Sequence, residues 1–444
     1  MIYNQANGYI SLYKIYSHKG KSKIPPNDEN LKKAKKLYRK CIQNFRKTDK
    51  SFNSITLVNY GNCLANFGRF IEAIDIFKEA LVYDPCNGMA AGNIAIELER
   101  ASRFFQHYRH EYVALAGNYL ERALSSEMHL KDGSSEAIKD FKLRYKKIKQ
   151  FIAAHKEPIV VPNPIEVNFK NKAFKKYIEF CINNELFLNF WAGNKEFTPG
   201  LIDDIRYGGI TTDQITLVPE LLKILNEIKE AFTAARYLLF ISKNKDKLLD
   251  SISKTTIYFN NNDFSINGIY TGICKAAYAR AFDILDKVAK IAMKYYNLGK
   301  EGEDSFWTTF TVKRSKAVGD GHIIYYEAKE IISESNNPGL FALADLCIDY
   351  FEEENIDYNI IKERRNKITH GYLNVKLYKA EKDNEIGVID IEELYNQTME
   401  ILHLARNSII YIVTAINVSE SYKTIGTGKT IPITYSGRPG ETVL

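Results

Sequence analysis

No two of the six cysteines, Cys41, Cys63, Cys86, Cys181, Cys274 and Cys347, form a C-x-x-C pair, and all lie far apart. That scatter argues against a zinc site and against a disulfide framework, and it suits a reducing cytoplasm. Long apolar runs are missing too. The longest, SIIYIVTAINV from Ser408 to Val418, is about half of what a bilayer crossing requires, so it reads as a buried helix and no membrane contact is expected. The opening stretch MIYNQANGYISLYKIYSHKGKSK has no basic start followed by an uninterrupted apolar core, so it does not read as a secretory signal. Acidic residues are scarce at this end. The first fifty residues hold three Asp/Glu against thirteen Lys/Arg, a surplus of ten, which leaves about minus three for the rest of a +7 chain. The basic character centres on LKKAKKLYRK, Leu31 to Lys40. It suits either a phosphate-backbone contact or a solvated helix face, and sparse aromatic interleaving favours the second.

What is present is the composition of a folded protein: 45% hydrophobic and 26% charged residues. A length of 444 residues exceeds one ordinary core, so two or three domains are expected.

The stretch Thr56 to Pro85 carries the spacing of a tetratricopeptide repeat. Leu57, Tyr60 and Leu64 share one face of a first helix, and Gly61 lets a neighbouring helix approach closely. Gly68 makes the turn, Ala73, Phe77 and Ala80 line a second helix, and Pro85 ends the unit. One such unit cannot bury its apolar side alone, so degenerate helix pairs are expected on both sides, with Ala116, Leu120 and Ala123 repeating the second-helix pattern. The surface of such an array fits a peptide or protein and supplies no chemistry of its own.

Farther along, the three prolines of HKEPIVVPNP mark a domain boundary. Beyond them, Leu221, Leu225, Ile228, Phe232, Ala235 and Leu239 form one helical stripe, and Ile273, Ala277, Ala281, Ile284, Val288 and Ile291 form another, closed by Gly299. Leu340 to Phe351, Tyr358 to His370 and Ile391 to Asn417 supply three more helices. The alternation in YLNVKLYKA and GVIDI predicts a small hairpin between the last two. The expected fold is mainly α: a basic N-terminal extension (1–30), tetratricopeptide-like repeats (31–154), a connecting segment (155–214), a five-helix bundle (215–418) and a flexible tail (419–444).

Within the bundle, ERRNKITHGY concentrates chemistry. Asn366 and His370 are four apart, share a helix face and can hydrogen-bond, which would orient the imidazole. Gly371 offers a left-handed stop that leaves His370 in the last turn, where the helix dipole favours its charged form, while two adjacent arginines oppose it. An imidazole balanced in this way suits proton transfer near neutral pH.

RNKITH in a helical bundle resembles the arginine, polar residue and histidine motif of HEPN-domain ribonucleases. HGY is similar to its extended form in HEPN toxins, and NNELFLNF and FTAARYLLF resemble phrases of a HEPN group with N-terminal tetratricopeptide repeats. The resemblance implies a metal-independent endoribonuclease with Arg365 and His370 as the catalytic pair and Asn366 as polar support. It needs no cofactor. The 2'-hydroxyl of RNA would be the nucleophile, so DNA should survive. Arg365 and His370, five residues apart, point about 140° from one another around a helix, so a homodimer that pairs two motifs is implied. Arg364 either holds phosphate or pairs with a carboxylate such as Glu363. Tyr372 resembles a tyrosine that is modified in some HEPN toxins; packing under the hairpin is its other reading. Family analogy points to a toxin or antiviral effector restrained through a protein bound to the repeats. A non-catalytic dimeric adaptor is the alternative.

Other leads are weaker. GTGKT, Gly426 to Thr430, lacks the first glycine, the preceding strand and the following helix of a phosphate loop. The terminal ETVL resembles a carboxylate-capture ligand over only four residues, and His107 and His110 lack a third metal ligand close by.

Overall fold

The computed structural model describes residues 1–20, 23–45, 49–130, 135–154, 171–189, 203, 205–212, 216–244, 246–259, 262–299, 305–318, 321–351, 358–378, 386–423 and 429–431. The boundary expected at 155–164, the loop of GTGKT ahead of Lys429 and the terminal ETVL lie outside these residues.

The first half is a run of helices: α1 (Ile2–His18), α2 (Glu29–Gln43), α3 (Lys50–Asn66), α4 (Phe70–Tyr83), α5 (Gly88–Phe104), α6 (Arg109–Ala123) and α7 (Ser135–Ala154). Successive helices pack on one another, as a repeat array requires. Short polar side chains cap the starts: Asp28 accepts from the amides of Asn30 and Leu31, Asp49 from Phe52, and Asn87 from Ala90. Between α3 and α4 the chain turns at Gly68, whose φ of +80° is open to glycine, and a Cβ there would lie 2.2 Å from the Pro338 carbonyl oxygen. Gly61 lies under the Phe77 ring, so α3 and α4 meet closely, as their spacing predicts.

The N-terminal extension is a helix rather than an appendage. Ala6 is the one buried residue in α1, which is why no amphipathic stripe announced it. Tyr3, Tyr9 and Tyr13 lean on the core from its edge.

The second half contains α8 (Lys172–Asn183), β1 (Ile210–Thr212), α9 (Leu217–Lys243), α10 (Lys247–Ser253), α11 (Ile269–Tyr296) and α12 (Phe306–Phe310). There follow β2 (Thr311–Val318), β3 (Gly321–Ala328), α13 (Glu330–Glu334), α14 (Pro338–Phe351) and α15 (Tyr358–His370), then β4 (Asn374–Lys376), β5 (Val388–Asp390), α16 (Ile391–Tyr422) and β6 (Lys429–Ile431). The expected stripes on α9 and α11 face the core, apart from Ile273 at its margin. α16 is long and apolar enough to cross a membrane by length and composition, yet 83% of its apolar window is buried inside the protein. It is the central core helix against which α9, α11 and α14 pack.

Two expectations need correction. β4 and β5 pair in parallel, so they are no hairpin; alternation marks a strand without fixing its direction. β4 has its other edge covered by residues 264–266, through Ile266 N–H to Val375 O and Leu377 N–H to Phe264 O. The hairpin of the bundle is instead β2–β3, antiparallel, flanking the glycine–aspartate–glycine sequence of residues 319–321. Finally, the tail expected to be flexible from residue 419 continues α16 to Tyr422, and residues 429–431 pair antiparallel with β1.

One hydrophobic core runs through both halves. The second helices of the early pairs bring a buried ionic cluster to that junction. Lys35 Nζ on α2 lies 2.5 Å from Asp345 Oδ1 and 2.7 Å from Asp349 Oδ1 on α14, and Arg69 Nη1 reaches Asp345 at 3.0 Å and Asp349 at 2.5 Å. Arg39 also pairs with Asp349. The basic run on α2 is therefore not a fully solvated face: Lys35 and Arg39 are spent inside the protein, while Lys33 and Lys40 stay exposed. Burial alone would raise the Asp349 pKa, but Arg39, Lys35 and Arg69 hold its carboxyl well below the ordinary range.

The two upstream phrases also meet in space. Arg236 on α9, from FTAARYLLF, donates to Leu186 O at 2.6 Å, and Arg406 on α16 donates to Phe187 O at 2.8 Å and Asn189 O at 3.1 Å. His403 Nε2 lies 2.7 Å from Asn184 O. NNELFLNF is thus strung onto the bundle by buried cations that satisfy its backbone carbonyls.

Candidate active site at the end of α15

α15 is held from below and leaves its C-terminal end open. Ile361 is buried, and its carbonyl accepts from the Tyr278 hydroxyl on α11 at 2.8 Å. Arg364, 3% exposed, turns inward to Glu393 on α16, with Nη1 to Oε1 at 2.8 Å. Of the two readings for Arg364, the carboxylate pair is the one observed, with Glu393 in place of Glu363. Pointing inward, it does not present its guanidinium to an external phosphate.

Its neighbour Arg365 takes the opposite course. It is partly exposed, its Nη2 lies 3.4 Å from Asp283 Oδ1 on α11, and its Nη1 lies 3.4 Å from Asn366 Oδ1. Both distances are long for hydrogen bonds, so this guanidinium is loosely held. Its Nε has no hydrogen-bond partner among the described residues.

Asn366 and His370 are exposed, and no hydrogen bond joins them. Asn366 supports the guanidinium rather than the imidazole, because a long arginine beside it reaches its carboxamide first. His370 occupies the last turn with Lys367. Gly371 does not adopt the left-handed conformation; positive φ occurs at Asn297 and Gly299 after α11 and is absent here. The helix stops because the chain runs directly into β4, with the Gly371 amide still donating to Lys367 O at 3.2 Å. Tyr372 is 62% exposed, so it does not pack beneath a hairpin.

Sequence reading missed two neighbours. Asp283 balances Arg365, and Lys275, also on α11, donates to Leu373 O at 2.8 Å just beyond the motif. Burial lowers the Lys275 pKa. Neither residue sits in a local pattern; α11 brings them in by packing. Among the described residues no group of three His, Cys, Asp or Glu converges as a metal site.

A helical bundle that shows an arginine and a histidine at the open end of one helix has the plan of a HEPN domain. Residues 212–419 match the family model described as LA2681-like HEPN, so a HEPN-family domain occupies the C-terminal bundle. No curated protein and no solved structure matches the chain. HEPN domains are generally metal-independent ribonuclease or toxin-type modules that bind RNA and dimerise. The helical N-terminal region fits a repeat array.

Proposed function

We propose that the chain is a metal-independent endoribonuclease that cleaves RNA by attack of the 2'-hydroxyl on the adjacent phosphate. The carrying observation is the partly exposed, loosely held Arg365 beside exposed His370 at the open end of α15, inside a HEPN-family domain. One imidazole takes the 2'-hydroxyl proton as that oxygen bonds to phosphorus. A second, from another copy, protonates the leaving 5'-oxygen, while Arg365 and its counterpart stabilise the phosphorane. Asn366 keeps Arg365 directed. The angular separation of Arg365 and His370 on one helix makes a homodimer the working unit.

The N-terminal array is read as tetratricopeptide-like repeats that bind a protein and restrain the enzyme. A cytoplasmic toxin or antiviral effector fits that arrangement, with Tyr372 exposed enough for regulatory modification.

Purified protein incubated with total RNA in EDTA should leave cyclic-phosphate ends, and His370→Ala and Arg365→Ala should each abolish them, a loss of about 10²–10⁴-fold for the proton-transfer group. Expression toxicity relieved by the same substitutions covers a protein that needs a cellular trigger. The non-catalytic adaptor reading draws on Asp283, which already neutralises Arg365 in the single copy. RNA left intact in vitro, together with toxicity unchanged by both substitutions, selects the adaptor.

A further inference from the structure

The first helices of the early pairs enclose a polar groove of about 460 Å³, lined by Asn7, Lys14, Tyr38, Asn59, Asn62 and Arg100 among others. Behind it lies a series of part-buried and buried contacts, polar except at one ring pair. The Tyr38 hydroxyl donates to Asn7 Oδ1 at 2.5 Å at the groove wall. The Tyr38 ring packs near Tyr60, centroids 6.4 Å apart, and the Tyr60 hydroxyl accepts from Arg39 Nε at 2.9 Å. Arg39 pairs with Asp349, which Arg69 Nη1 also meets at 2.5 Å. Arg69 Nε then donates to Glu72 Oε1 at 3.2 Å, and the other Glu72 oxygen accepts from the Tyr411 hydroxyl on α16. From Tyr411 the helix runs to Glu393, eighteen residues and about 27 Å away, where it holds Arg364 of the motif helix.

We propose that the state of this groove is reported to the motif helix through that series, with α16 as the lever and Arg364 as the positioning residue at its far end. The idea rests on the reading that the repeats receive a protein partner and that α15 carries the site. Tyr38 is buried and its ring packs on Tyr60, so a displacement of Tyr38 displaces Tyr60, and through the Tyr60 hydroxyl it reaches Arg39 and Asp349. α16 is enclosed from Ala405 to Ile416 and buries one face from Leu394 to Leu402. Close-packed elements change between discrete arrangements, so a tilt at Tyr411 arrives at Glu393 as a displacement of Arg364 and the turn of α15 after it. A second anchor, Asn417 Nδ2 to Phe104 O at 2.9 Å, ties the far end of α16 to the repeats.

The test is a double-mutant cycle on the full chain, read by hydrogen exchange of residues 361–370, and it needs no ligand and no RNA cleavage. Tyr38→Phe removes the hydroxyl that fixes the ring to Asn7, and Glu393→Gln weakens the pair with Arg364 while keeping an acceptor for Gln397. Tyr38→Phe should change α15 exchange by about fivefold or more, relative to α9 peptides, and Glu393→Gln should remove that change. Tyr411→Phe, which cuts the series midway, should reproduce it. Sites this far apart otherwise behave additively. Additive effects, no effect of Tyr38→Phe on α15, or equal acceleration of α9 and α15 would overturn the proposal. Because exchange is independent of turnover, a protein that leaves RNA intact, whose toxicity is unchanged by His370→Ala and Arg365→Ala, and that still shows the coupling would refute the nuclease reading and leave the lever standing.

Discussion

The junction between the repeats and the bundle, and the open end of α15, are built from the same residue types to opposite ends. At the junction Lys35, Arg39 and Arg69 are each met by Asp345 or Asp349, and Asp345 is wholly enclosed. At the end of α15, Arg365 has one carboxylate at 3.4 Å and His370 stands in solvent. Arg364 and Arg365 bring the contrast down to adjacent residues. A guanidinium buried in the fold against a carboxylate is structure; one held loosely at the surface is available for a substrate's charge.

Removing a carboxylate from the junction tests the contrast hardest. Asp349→Ala leaves Arg39 and part of Lys35 and Arg69 uncompensated in the interior, and should cost about 3–5 kcal/mol in denaturant unfolding. A loss below 1 kcal/mol would mean that the cluster is solvated and the contrast false. Since the Asp349 carboxyl is held below the ordinary range by its three cations, its contribution is present above the unfolded-state pKa and disappears as pH falls through the folded one. The variant should therefore differ from wild type at neutral pH and converge with it in acid.

The neighbouring arginines sharpen the same point at a smaller scale. Arg364→Ala should destabilise by about 1–2 kcal/mol because α15 loses its buried side chain and the pair with Glu393, whereas Arg365→Ala should stay within about 0.5 kcal/mol while removing RNA cleavage. Equal melting curves for the two variants would erase the distinction.

The smallest effect lies at a second contact between the halves. Burial and the neighbouring Glu185 carboxylate push Asp75 up to about 7. Glu185, despite its own burial, is held down to about 2 by Lys78, Asp75 and Arg406. The raised pKa of Asp75 gives stability that is present below the ordinary carboxylate range and lost as pH rises toward 7. Asp75→Asn should flatten the decline in Tm between pH 4 and 8, by about 2 °C, and an unchanged slope would show that the proton is not shared.

Much of the fold was legible. The stripes on α9 and α11, the Gly61–Phe77 contact, the Gly68 turn and the span of α15 all follow from spacing, because helical periodicity and glycine's freedom at positive φ act over a few residues. The motif itself was legible in the same way. Its electrostatics were not: Asn366 turned to Arg365, Gly371 kept an ordinary conformation, and Arg364 chose Glu393 over Glu363. Strand direction at β4–β5 was equally invisible, since alternation is identical for either sense.

By itself the sequence determined where the long bundle helices lie, that one of them ends in an arginine and a histidine, and that Thr56 to Pro85 folds as a helix pair. Tertiary structure alone decided which basic residues are buried and which remain available, because Lys35 and Arg39 find partners 310 positions away along the chain. Local periodicity sets which face a residue occupies, but the charge it meets there depends on what the fold brings against that face.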